Sequence, residues 1–298
     1  IKWVIDSIFR GKDKRHKNSV NLKDLNNARS VSKSYQFGYS CNKKHAINFK
    51  DIDFSDHTFV MGGTGYGKTN LFKIMWANDL RKNKPLMVLD PKPTLDSIAY
   101  FKALNKLHNR KCYIINPSSC AIGYSYNPIL NGNAEHITSR IMESFVWENS
   151  YYKNESQRVL HDTVGKLLRV GNKKPTFSKI LAQLLDLDKS VQKNISGLIS
   201  QVHAFGASGS EYGAICNNQA GEILTIDRIR YEGASIYFAL PAMIDTEKAR
   251  SFGKMITAEI RQHCGEATNI HTESYLKKDI PFSLYIDEAH DLLTMGCQ

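Results

Sequence analysis

The sequence predicts an α/β fold: a mostly parallel central sheet that carries an inserted all-α region. Three observations lead there. Apolar runs without alternation recur at Leu86 to Leu89, Cys112 to Ile115, Ser235 to Leu240 and Phe282 to Ile286, as expected of parallel strands covered on both faces. A glycine-rich loop at Gly62 to Thr69 follows one apolar run and precedes a helical pattern, which is the strand–loop–helix unit of α/β proteins. From about Tyr152 to Gly206 the apolar spacing is helical throughout.

In chain order, Ile1, Val4, Ile5, Ile8 and Phe9 follow helical spacing and run into Arg10-Gly11-Lys12-Asp13-Lys14-Arg15-His16-Lys17. A helix lying on a cytoplasmic membrane surface and a helix packed on the protein itself both fit this stripe. The first fifty residues hold twelve of the Lys and Arg residues against Asp6, Asp13 and Asp24, which is most of the net charge of +11. A leader of this kind suits nucleic acid phosphates or an acidic membrane leaflet, and it equally suits a solvated arm. Short apolar runs separated by turns from Tyr35 to Phe49 predict a hairpin, and His57 to Met61 a strand entering the glycine-rich loop. Leu71, Phe72, Met75 and Trp76 place a helix after that loop. Val159 to Leu168 predict one helix of the all-α region, Pro175-Thr176 opens a second through Leu185, and a third covers Val191 to Val202. The predicted organisation is a basic leader over 1–34, a nucleotide-binding domain begun by 35–151 and resumed by 207–298, and an all-α insertion over 152–206.

Composition bounds the class. With 298 residues, 42% of them hydrophobic and 23% charged, the chain matches a globular protein, not a disordered or fibrous one. Cys41, Cys112, Cys120, Cys216, Cys264 and Cys297 form no CxxC pair or zinc spacing, which predicts reduced thiols. The longest apolar stretch, Ala234 to Ile244, is well short of the roughly 20 residues of a membrane-spanning helix. The chain begins without Met and stops soon after an acidic motif, so it is expected to be a piece of a longer protein.

Gly62-Gly63-Thr64-Gly65-Tyr66-Gly67-Lys68-Thr69 fits G-x-x-x-x-G-K-[ST] in full. In such a loop the backbone N–H groups cradle phosphate oxygens, Lys68 reaches the β- and γ-phosphates, and Thr69, followed by Asn70, offers its hydroxyl to Mg²⁺. The predicted ligand is therefore ATP with Mg²⁺. Phe282 to Ile286 ends in Asp287-Glu288. There Asp287 is the candidate to hold the metal and Glu288 the candidate to deprotonate the attacking water. Asp90, at the end of another predicted strand, is a candidate contact to the metal or phosphates, and a turn set by Pro91 and Pro93 explains it as well. More than two hundred residues separate Lys68 from Asp287, so further strands and an insertion must lie between them. The absence of an [NT]-K-x-D motif argues against a GTPase.

His57 to Gly62, Val88-Leu89-Asp90-Pro91-Lys92, Asn127-Pro128-Ile129, Ile236 to Pro241 and Ile286-Asp287-Glu288-Ala289-His290, in that order, resemble the HerA–FtsK group of RecA-like motors. Asp90-Pro91-Lys92 and the helical stretch after Asn127-Pro128 resemble, within that group, the TraD/TraG-type coupling proteins of conjugation and type IV secretion. Ala289-His290 is nearer to HerA and to other secretion ATPases. The resemblance implies a RecA-like ATPase that works as a ring, usually a homo-hexamer, with nucleotide at subunit interfaces. It implies DNA, secretion-system proteins and substrate adaptors as partners, and a seat on the cytoplasmic face of the bacterial inner membrane through a segment before residue 1. A HerA-like DNA translocase, a secretion ATPase that does not pump DNA, and a nucleotide-binding docking module for secretion substrates are the alternatives.

Overall fold

The computed structural model describes residues 34–39, 45–50, 53, 57–63, 65–118, 123–147, 149–169, 174–207, 209–267 and 282–292. The basic leader expected over 1–34, apart from Ser34 itself, lies outside them, as does Thr64. The expected hairpin is present: β1 (Ser34–Tyr39) and β2 (Ala46–Lys50) pair antiparallel, with an irregularity between Gln36 and Gly38.

The central sheet has four strands, β3 (Leu86–Asp90), β4 (Cys112–Ile115), β7 (Ser235–Ala239) and β8 (Ser283–Ile286), in the order β4-β7-β3-β8. Every pairing in it is parallel. Leu86 and Val88 of β3 point into one apolar cluster and Met87 and Leu89 into another. Both faces of the inner strands β3 and β7 are therefore covered, which is why they read as unbroken apolar runs.

One face carries two helices, α1 (Lys68–Arg81) and α2 (Leu95–Leu107). Trp76 of α1 sits edge-on to Phe101, Tyr237 and Tyr285, at 5.9, 6.1 and 6.2 Å between ring centroids. Asp79, also buried, accepts hydrogen bonds from the hydroxyls of Tyr35 and Tyr285, so one carboxylate ties the hairpin, α1 and β8 together. Replacing Trp76 with Ala removes the centre of this cluster, and we expect a loss of about 3–5 kcal/mol; urea unfolding of the variant measures it.

The other face carries the remaining helices: α3 (Ala134–Ser144), α4 (Ser150–Arg169), α5 (Phe177–Leu185), α6 (Lys189–Asn194), α7 (Ser196–Gly206), α8 (Glu211–Cys216), α9 (Ile226–Tyr231), α10 (Thr246–Ala267) and α11 (Ala289–Leu292). A two-stranded parallel pair, β5 (Tyr124–Tyr126) with β6 (Glu222–Leu224), brackets α3 to α8. Leu160, Leu184, Leu198 and Phe205 of these helices belong to the same buried cluster as Met87, Phe238 and Phe252. The Thr176 side chain accepts from the Lys179 N–H and caps α5, the start that Pro175-Thr176 predicts.

Two expectations need correction. The helix predicted over Val191 to Val202 is two helices, because Ile195 leaves helical geometry and serves as the N-cap of α7. His57 to Met61 is not a strand of any sheet among the described residues, and Phe59 and Met61 are exposed. An apolar run reports a tendency to be buried; a strand also needs a neighbour to take up its N–H and C=O groups, and pairing is not encoded in the run itself.

Candidate functional site

The glycine-rich loop leads into the N-terminus of α1. Gly65 and Gly67 have φ of +80° and +87°, a region that side-chain-bearing residues seldom enter. Gly67 is the N-cap, so no side chain caps the helix, and its first turn contains no acid. The opening N–H groups of α1 thus face outward from an uncapped positive helix end, a donor set suited to phosphate. A Cβ on Gly63 would stand 3.0 Å from the exposed Tyr66 ring, which would have to shift to admit it.

The Lys68 ammonium donates to the carbonyls of Gly62 at 2.7 Å and Gly63 at 3.2 Å. Among the described residues it has no carboxylate partner. Two neutral carbonyls leave its charge largely uncompensated, and a phosphate would displace them as acceptor. Thr69 and Asn70 follow on the exposed first turn of α1, beside those N–H groups.

A second constellation stands at the carboxyl ends of β3 and β8. These strands are neighbours with Leu89 opposite Ile286, so Asp90 and Asp287, the next residues on each, come side by side. The Asp287 N–H donates to the Leu89 carbonyl at 3.0 Å. Asp90 is 6% exposed. One of its oxygens accepts from the Tyr237 hydroxyl and the other from the Lys92 N–H at 2.8 Å. Burial pushes the Asp90 carboxyl above its usual range, and the charges of Asp287 and Glu288 push the same way against its two hydrogen bonds. Glu288 has a φ of +47°, and its N–H donates to Asp287 Oδ1 at 3.0 Å. Its carboxylate takes the Lys92 ammonium at 2.9 Å.

The structure thus brings Asp90, Asp287 and Glu288 together on one edge of the sheet and places Gly62, Gly63, Gly65, Tyr66, Gly67, Lys68, Thr69 and Asn70 on the loop and first turn before α1. The two groups are linked through packing: Phe72 and Trp76 of α1 contact Tyr285 of β8, at 5.6 and 6.2 Å between centroids. Among the described residues no group of three or more His, Cys, Asp or Glu side chains forms a metal cage. A magnesium ion carried by a nucleotide needs only one or two protein oxygens beside the phosphates, and Thr69 and Asp287 are donors of that kind. The partners of Asp90 and Glu288, Tyr237 and Lys92, are not evident in the sequence. Tyr237 reads there as one more apolar strand residue and Lys92 as one more surface charge.

Comparison with known proteins places these features in context. The family described as type IV secretory system conjugative DNA transfer matches residues 3–195, more than half of the chain, including the glycine-rich loop and β3 but not β8. No curated protein matches. Among solved structures, VirB4 of Thermoanaerobacter pseudethanolicus superposes with a TM-score of 0.58 at 10% identity, over 88% of this chain and 69% of that one. This supports the α/β fold alone. TrwBdeltaN70, a bacterial conjugative coupling protein, gives a TM-score of 0.48 at 14% identity, over 78% of this chain and 54% of that one.

Proposed function

We propose, from the premise that the chain belongs to the type IV secretory system conjugative DNA transfer family, that it is the ATP-hydrolysing motor core of a coupling protein, one that recruits and moves DNA or a nucleoprotein substrate. The observation that carries this reading is the uncapped, glycine-built entry to α1, with Lys68 bonded, among the described residues, to loop carbonyls alone.

In this reading the N–H groups of Gly63 to Thr69 and the Lys68 ammonium hold the phosphates, and the Thr69 hydroxyl and Asp287 hold Mg²⁺. When bound, the metal offsets charge on the β- and γ-phosphate oxygens. Glu288 accepts the proton of the attacking water, which must lie within hydrogen-bond reach of its carboxylate. Asp90 uses its own hydrogen bonds to fix the turn at the end of β3, which keeps that edge of the sheet in place for Asp287 beside it. The helices over 152–206 are the proposed insertion that meets substrate and adaptor proteins. The working unit is a homo-hexamer at the cytoplasmic face of the inner membrane, joined to it through a segment before residue 1. No helix among the described residues is long and apolar enough to cross a membrane.

Rings complete their sites across subunit interfaces, and an arginine supplied in trans raises turnover by about 10³–10⁵ in related phosphate-loop enzymes. ATPase rate should therefore rise more steeply than protein concentration, and DNA should raise it further. Sedimentation of the same samples shows whether the increase follows assembly. A demonstrably monomeric chain turning over fully would contradict the ring, and an assembled chain indifferent to DNA would favour a secretion ATPase that does not pump it.

A further inference from the structure

The candidate base does not stand alone: a cation on a rigid mount is held against it. Lys92 lies between Pro91 and Pro93, and the following proline restricts its backbone to extended conformations. Its N–H is bound to Asp90 Oδ1 at 2.8 Å. The carbonyls of Asp90 and Pro91 accept from the N–H groups of Leu240 and Ala242, at 2.8 and 3.0 Å, so the turn is also fastened to the exit of β7. From this mount the ammonium reaches Glu288 Oε1 at 2.9 Å, joining the ends of β3 and β8 across 196 residues of sequence.

We propose that Lys92 is a positioning residue that holds the Glu288 carboxylate in the place from which it activates water. The proposal rests on the reading of Glu288 as the base. Glu288 shares its edge of the sheet with Asp90 and Asp287, and like charges so placed repel it toward solvent. Its left-handed backbone sets the direction in which the side chain leaves, and the carboxylate stands at the end of three rotatable bonds. A cation fixed on the turn after the neighbouring strand β3 offsets the repulsion and restrains the carboxylate. Lys92 is more than half exposed and Glu288 about a quarter exposed, and ion pairs this wet add little to stability. The consequence of the contact therefore falls on where the carboxylate stands, not on whether the chain folds.

The test compares kcat and KM for ATP in the parent chain, Lys92→Met and Lys92→Arg, with Lys92→Met repeated in a Glu288→Gln background, at protein concentrations where the parent turns over. Misplacing a reacting group costs up to about a hundredfold in rate, so Lys92→Met should lower kcat about ten- to a hundredfold. Its KM and unfolding midpoint should be unchanged, and Lys92→Arg should recover most of the loss. In the Glu288→Gln background the residual rate should change by less than about twofold, because no proton-accepting carboxylate is left there for Lys92 to position. An unchanged kcat, a loss confined to KM, or an undiminished loss in the Glu288→Gln background would overturn the proposal. Parent-like turnover by Glu288→Gln alone would contradict the reading of the base itself, in an arm that does not involve Lys92, and the proposal would fall with it.

Discussion

A Lys68→Ala chain should bind Mg²⁺-ATP about ten- to a hundredfold more weakly than the parent, because hydrogen bonds to a charged group are worth about 1.5–3 kcal/mol and each 1.4 kcal/mol is tenfold in affinity. Lys68 is the only cationic side chain between Gly62 and Thr69. The backbone donors of the loop and the open end of α1 are unaffected by the change, so residual binding through them is expected. Stability should hardly move: among the described residues the lysine is bonded to two loop carbonyls, in an exposed setting. That separates loss of a ligand contact from loss of the fold. Calorimetric titration beside thermal unfolding of both chains reads the two quantities. Unchanged affinity in a folded Lys68→Ala chain would remove the loop from the account.

Glu288→Gln should act on the other half of the reaction. The amide keeps the shape of the side chain, and its oxygen can still accept from Lys92, but it is a far poorer proton acceptor than a carboxylate. A positioned general base contributes about 10²–10⁴ in rate, so turnover should fall by that order while ATP affinity stays near the parent value. Asp287, one residue before, should behave differently. It is proposed above as a metal donor, so its loss should weaken the Mg²⁺ dependence of binding as well as the rate.

Much of this arrangement is legible in the order of the residues alone. The inner strands β3 and β7 announce themselves because burial on both faces demands continuous apolar runs, and β4 and β8 beside them carry shorter runs of the same kind. Thr176 marks the start of α5 because a hydroxyl there takes up an otherwise orphaned N–H. The loop is legible because glycine is required at its positive-φ positions. The rest depends on residues distant in sequence. Tyr237 and Asp90 are 147 residues apart and Tyr285 and Asp79 are 206 apart, and no local period reveals that two strands will meet in the first pair, or a strand and helix α1 in the second. His57 to Met61 shows the converse failure, since a strand-like composition there belongs to no strand among the described residues. The split at Ile195 is of the same kind: the apolar spacing continues across it, but the backbone turns. Lys92, wedged between two prolines, looks like part of a loop until β8 brings Glu288 beside it.

The measurement that bears most directly on the central claim follows the fate of one bound nucleotide. Parent and Glu288→Gln chains, at concentrations where the parent turns over, are given Mg²⁺ and γ-labelled ATP, and the protein-bound fraction is recovered over time. The account predicts that Glu288→Gln retains intact ATP while the parent releases labelled phosphate. Equal phosphate release by the two chains would contradict it.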